Sequence, residues 1–191
     1  MLNQLLRSFI FSTAVALPLW VAFRIKANVS GRKLNAGASV GRELLLTCFF
    51  LYLVFVAALT VVPIPMSRFR VPGSDEVNLV PILNSLKCLP PTLTARRNVF
   101  LFCLQNMAGN VFLFLPLGFF LPLVSDKFGT IKRVLLVALV LSSSIEVVQF
   151  LSRLIGTFRT VDIDDVLLNM LGAGTGFLLL TFVRRKKKLT H

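Results

Sequence analysis

The chain has 191 residues, of which 55% are hydrophobic and 15% charged, and its formal net charge is +13. This composition is typical of an integral membrane protein and excludes a separate soluble catalytic domain. Nucleic acid is not an expected partner, because hydrophobic runs interrupt the basic residues and no aromatic-basic face results. The cysteines Cys48, Cys88 and Cys103 show no zinc-like spacing and predict neither a metal site nor a disulfide framework.

Apolar runs near the length of a membrane span, about 20 residues, occur five times, at 5–23, 44–65, 98–124, 133–152 and 163–183. They predict an all-α membrane bundle of about five transmembrane helices. Pro116 and Pro122 interrupt the third run, so we expect that helix to tilt, kink or end early. A signal peptide is the alternative for the first run, although no small-residue cleavage site follows it.

The distribution of Lys and Arg predicts the orientation. The segments 24–42, 125–133 and 184–188 together hold 13 of the 21 basic residues. Positive segments stay in the cytoplasm, so we predict an outside N-terminus, a cytoplasmic C-terminus and outer loops at 66–97 and 153–162.

At 100° per residue, each of the last three helices has a polar stripe in its outer half. The stripe on the third helix is Asn106, Gly109 and Asn110. The stripe on the fourth is Ser142, Glu146, Gln149 and Arg153, and that on the fifth is Asp162, Asp165, Asn169, Gly172 and Gly176. Asp164 falls off the last stripe and is expected to be a solvated acid at a helix start. In the outer loop, Asn78 and Asn84 flank a proline-containing turn that either dips towards the bundle or is an ordinary loop.

An ionisable side chain within the membrane costs a few kcal/mol and therefore needs a partner or water. We expect the three stripes to face a shared, outward-opening polar pocket, in which Glu146 either pairs with Arg153 or Arg159 or is protonated. The alternative is that the amides only join helices, at about 0.6 kcal/mol per hydrogen bond.

Four ordered motifs, NLVP at 78, GNVFLFLPLGFFLPL at 109, IEVVQF at 145 and DIDDVLLNMLGAGTG at 162, resemble the VanZ-like membrane proteins. The resemblance implies a multi-pass protein of the bacterial cell membrane, associated with reduced susceptibility to teicoplanin, a glycopeptide antibiotic that carries a fatty chain. It implies no particular reaction. It divides the chain into an extra N-terminal helix with a basic connection (1–43), a VanZ-like four-helix domain (44–183) and a basic tail (184–191).

The stripes and the resemblance together define two sets of candidate residues. The candidate ligand-binding residues are Asn78, Asn106, Asn110, Glu146, Gln149, Arg159, Asp162, Asp165 and Asn169. The candidate structural residues are Pro81, Pro116, Gly118, Gly172 and Gly176.

Three functional hypotheses follow. The preferred one is a non-enzymatic protein that engages a lipid-tailed ligand, such as a lipoglycopeptide or a lipid-linked cell-wall precursor, among membrane lipids. The second is a membrane enzyme that acts on a lipid-linked envelope substrate with the carboxylates of Glu146, Asp162 and Asp165. The third, a transporter or channel, is disfavoured because no inverted repeat is visible. No cofactor or bound metal is expected.

Overall fold

The computed structural model describes residues 2–29, 40–60, 77–82, 97–152 and 161–189. Five α-helices account for most of these residues, which confirms the predicted all-α architecture. They are α1 (Leu2–Val29), α2 (Val40–Thr60), α3 (Arg97–Val124), α4 (Ile131–Ser152) and α5 (Ile163–Leu189). Two short strands, β1 (Val77–Asn78) and β2 (Val161–Asp162), and a 3₁₀ turn at Asp126–Phe128 complete the described elements.

Among the described residues, four helical segments are long and apolar enough to cross a membrane, which makes this a multi-pass membrane protein. They are Gly41–Thr60, Cys103–Val124, Ile131–Ser152 and Ile163–Lys186. Within α1, Phe9–Ala22 is a shorter apolar stretch, so a fifth span there stays a prediction. The inside-outside orientation also stays a prediction.

The third helix is continuous through both of its prolines. Pro116 and Pro122 lie inside α3, which ends at Val124, so the expectation of an early end is wrong. A proline removes one N–H donor, and the freed carbonyl is tolerated in membrane helices when neighbouring groups satisfy it.

The chain divides into two compact units, Met1–Met66 and Ser67–His191. In the first unit, α1 and α2 pack through aromatic side chains. The rings of Trp20 and Phe50 stack with centroids 4.6 Å apart, and those of Phe9 and Phe55 meet edge to face at 5.9 Å. The predicted domain boundary after residue 43 stays a prediction.

In the second unit, the backbones of α3 and α5 lie in direct contact. A Cβ atom on Gly172 would overlap the carbonyl oxygen of Val111, and one on Gly176 would overlap that of Leu115. Gly118 faces the carbonyl of Ala173 in the same way. Such small residues permit close helix approach in membranes, where lipid tails are as apolar as the side chains.

These contacts also set the helix directions. The contacts at Val111 and Leu115 advance by four residues along α3, as those at Gly172 and Gly176 do along α5, so the two helices run parallel. The fourth helix is antiparallel to α5, because Ser142 contacts Asn169 whereas the later Glu146 contacts the earlier Asp162. The start of α3, the end of α4 and the start of α5 therefore share one end of the unit.

Cys103 departs from the sequence prediction, because it is disulfide-bonded whereas Cys48 is free. An odd number of cysteines without a recognisable spacing carries no information about which of them meet in space.

The glycine contacts predict the effect of a single added methyl group. Gly172→Ala should lower the free energy of unfolding by about 1–3 kcal/mol, because the methyl group must displace the backbone of α3. The measurement is the unfolding midpoint of the purified protein in detergent.

Gly109→Ala is the matched control, because a Cβ there meets no atom within 4 Å. Alanine also favours the helix more than glycine does, so this variant should be at least as stable as the parent. Equal destabilisation by both substitutions would contradict the proposed contact.

Candidate functional site

The loop before α3 reaches the start of α5 through a two-stranded parallel pairing. Val77 pairs with Val161 and Asn78 pairs with Asp162. The Asn78 side chain is buried, its Nδ2 donates to Asp162 Oδ1 at 2.9 Å, and its Oδ1 accepts from the Val80 N–H at 3.3 Å. The second bond closes an Asx turn, which an asparagine forms with the backbone two residues later.

Asp164 fixes the far end of this loop. Its Oδ1 accepts from the Ile82 N–H, and the side chain is only 4% exposed, so the prediction of a solvated acid is wrong. Helical phase puts Asp164 off the polar stripe, but the loop 77–82 covers the face of the first α5 turn on which Asp164 lies. Ile82 has φ 68°, a left-handed conformation uncommon for a β-branched residue, which the hydrogen bond to Asp164 helps to hold.

Asp162 links the strand to both neighbouring helices. Its Oδ1 accepts from the Asp164 N–H at 3.0 Å, as an N-cap carboxylate does for the first turn of a helix. Its own N–H donates to Glu146 Oε2 at 3.1 Å. Glu146 is only 8% exposed, so α4 contributes a buried carboxylate directly beside the start of α5.

Deeper in the bundle, amides from α3 meet α5. Asp165 Oδ1 accepts from Asn110 Nδ2, and Asn106 Nδ2 lies 3.5 Å from the same oxygen. Further along α5, the buried Asn169 donates from Nδ2 to Ser142 Oγ at 2.8 Å. Within the described part of the chain, Asn169 Oδ1 is a buried acceptor with no hydrogen-bond donor.

The structure brings together most of the predicted ligand-binding residues. They are Asn78, Asn106, Asn110, Glu146, Asp162, Asp165 and Asn169. With Ser142 and Asp164 they form what we call the polar cluster. Gln149 lies half-buried one turn beyond Glu146 on α4, and Arg153, Arg159 and Asn84 lie outside the described residues.

The predicted structural residues lie around the cluster. Pro81 is exposed in the loop, and Pro116 lies inside α3. The glycines 118, 172 and 176 form the contact between α3 and α5 described above.

Sequence reasoning missed Asp164 and the backbone of Ile82. Their contact spans 82 residues of sequence, and no local pattern indicates such a pairing. The nearest signal was the NLVP motif itself, whose asparagine begins the Asx turn.

Chemically, the polar cluster is rich in acceptors. Four carboxylates lie together. The hydrogen-bond donors to Asp165 Oδ1 are the neutral amides of Asn110 and Asn106, while Asp162 and Asp164 repel its charge. Among the described residues, no three His, Cys, Asp or Glu side chains are grouped closely enough to hold a metal ion. The arrangement is therefore suited to a group that donates hydrogen bonds or carries positive charge.

The model of the VanZ/LLP1 family matches residues 49–184, which is most of the chain. The chain belongs to the VanZ/LLP1 family. The match contains all nine residues of the polar cluster, which lie between Asn78 and Asn169. No curated protein matches the chain, and no solved structure does. Membership makes this VanZ/LLP1 protein a membrane protein of a family linked to glycopeptide resistance.

The hydrogen bond of Asp164 predicts a local change in dynamics. Asp164→Ala leaves the Ile82 N–H without its acceptor, and a bond to a charged group contributes roughly 1.5–3 kcal/mol. We expect amide hydrogen exchange in the peptide that contains Ile82 to accelerate about tenfold or more. Hydrogen-exchange mass spectrometry measures this.

Asp126→Ala provides the control, since Asp126 is exposed in the 3₁₀ turn at the opposite end of α3. It should leave exchange at Ile82 unchanged. If the Asp164 variant also exchanges at the parent rate, the proposed attachment of the loop is wrong.

Proposed function

We propose that this VanZ/LLP1 protein binds a lipid-tailed envelope ligand at the polar cluster and thereby reduces susceptibility to lipoglycopeptides of the teicoplanin type. The observation that supports this proposal best is a juxtaposition. The carboxylates of the half-buried Asp162 and the buried Asp164 accept hydrogen bonds from a loop whose aliphatic side chains are exposed. In a ligand with a polar body and a fatty chain, the body complements the polar cluster and the chain complements the aliphatic loop.

The polar half of the site offers acceptors that the protein only partly satisfies. Asn169 Oδ1 is buried with no donor in the described structure. The Asp165 carboxylate receives hydrogen bonds from the amides of Asn110 and Asn106, while two neighbouring carboxylates repel its charge. A bound hydroxyl, amide or amine would donate hydrogen bonds to these acceptors. The gain in free energy is large there, because a polar group without a partner is strongly destabilised where water is scarce.

The apolar half of the site is the loop 77–82. Leu79 is 70% exposed, Val80 56% and Ile82 57%. Hydrogen bonds from Asn78 to Asp162 in β2 and from Ile82 to Asp164 in α5 hold the backbone that carries these side chains. Because the loop is already ordered, an acyl chain that packs on it does not incur the entropic cost of ordering the loop, and this favours binding.

The alternative is a membrane enzyme that acts on a lipid-linked envelope substrate through Glu146, Asp162 and Asp165. The hydrogen bonds weigh against it. Glu146 and Asp162 each accept a hydrogen bond from a backbone N–H, so both carboxylates already have a structural role. A general acid or base must instead reach the proton that it transfers in the substrate.

Susceptibility testing examines the proposal. Glu146→Gln and Asp162→Asn keep the shape of each side chain but remove its charge. Each should weaken ligand binding about tenfold, since a hydrogen bond to a charged group contributes roughly 1.5–3 kcal/mol. In a susceptible Gram-positive host, we expect both variants to lose protection against teicoplanin, with little change towards vancomycin, which lacks the fatty chain.

Asp126→Asn is the matched control, because it removes the charge of an exposed acid outside the cluster. All variants must be present in the membrane at the parent level. Parent-like protection by the Glu146 and Asp162 variants would refute the proposal. Chemical conversion of a bacterial lipid extract by the purified parent, lost in both variants, would favour the enzyme instead.

A further inference from the structure

A second site lies at the opposite end of the α3–α4–α5 unit. A cavity of about 310 Å³ opens between the loop that follows α3 and the last turns of α5. Its lining residues are Gly129, Phe177, Leu180, Thr181, Arg184 and Arg185. We infer that this cavity binds the phosphate headgroup and upper acyl chain of an anionic phospholipid.

The lining of α5 changes in polarity along the helix axis. Phe177, Leu180, Thr181 and Arg184 recur at the i, i+3, i+4 and i+7 spacing of one helical face. Leu180 is almost fully buried, Thr181 is half-buried, and Arg184 and Arg185 are exposed. The face therefore passes from hydrocarbon through a hydroxyl to guanidinium groups, the order in which a phospholipid presents its chain, glycerol region and phosphate.

The position of the cavity suits a lipid. The membrane-spanning part of α5 ends at Lys186, so the arginines lie at the boundary where headgroups begin. Guanidinium groups bind phosphate in a bidentate manner, and basic pockets between helices on the cytoplasmic side bind anionic headgroups. The charge count predicts that this end is cytoplasmic.

The surrounding charge favours an anion. In the segment 125–133, which contains the 3₁₀ turn and the start of α4, Lys127, Lys132 and Arg133 outnumber the single acid Asp126. Arg133 donates to the carbonyl oxygen of Lys127 at 2.7 Å, which ties the loop beside the cavity to the start of α4. If the basic tail only set the membrane topology, its positive charge would be sufficient. A cavity with an apolar wall is needed only if the tail also binds a lipid.

The test is lipid retention by the purified full-length protein, measured by native mass spectrometry. Phosphatidylglycerol and phosphatidylcholine with identical chains are compared. The parent should retain phosphatidylglycerol preferentially, and Arg184→Gln and Arg185→Gln should each reduce that retention about fivefold or more. A large excess of inorganic phosphate should not displace the lipid, because the apolar wall contributes to binding.

Lys186→Gln is the matched control. It removes one charge from the same tail, but the ammonium lies over the Phe182 ring, 5.0 Å from its centroid, and does not line the cavity. It should reduce retention less than twofold. An equal loss in the lysine and arginine variants, equal retention of the two lipids by the parent, or displacement by inorganic phosphate would overturn the inference.

Discussion

The close contact between α3 and α5 is the constraint on which the polar cluster depends. Because Gly172 and Gly176 have no side chains, the α5 backbone at these two positions rests against the carbonyls of Val111 and Leu115. Asn110 immediately precedes Val111, and its short amide reaches Asp165 only because the helix axes are close. Larger side chains at the glycines would separate a carboxylate from its donors within the membrane, where water is scarce.

The same geometry explains why so apolar a chain gathers its few acids. Asp162 and Asp164 accept hydrogen bonds from the loop 77–82. Glu146 joins α4 to the residue before α5, and Asp165 accepts a hydrogen bond from Asn110 of α3. Each carboxylate therefore connects elements that are distant in sequence. These four acids lie at one end of the unit. The basic residues of the segment 125–133 and of the α5 terminus lie at the other end, which gives the bundle opposite polar surfaces.

Sequence reasoning predicted the parts of this arrangement that depend on local periodicity. Helical phase placed Asp165 and Asn169 on one face of α5 and Ser142 and Glu146 on one face of α4, and the structure joins these faces. It failed at Asp164, because the loop 77–82 covers the face of α5 on which that residue lies. It failed again at Cys103, and it could not place the loop, because pairing over some eighty residues leaves no local pattern.

The central claim is that the polar cluster and the loop above it form one binding site for a lipid-tailed ligand. The most direct measurement is photo-crosslinking of a lipoglycopeptide with a photoreactive acyl chain to the protein in membranes, with the labelled residues read by peptide mass spectrometry. The account predicts label concentrated on Leu79, Val80 and Ile82, and its loss in Glu146→Gln. Label spread evenly over lipid-facing positions such as Leu136 and Val140, which are 60% and 57% exposed on α4, would contradict it.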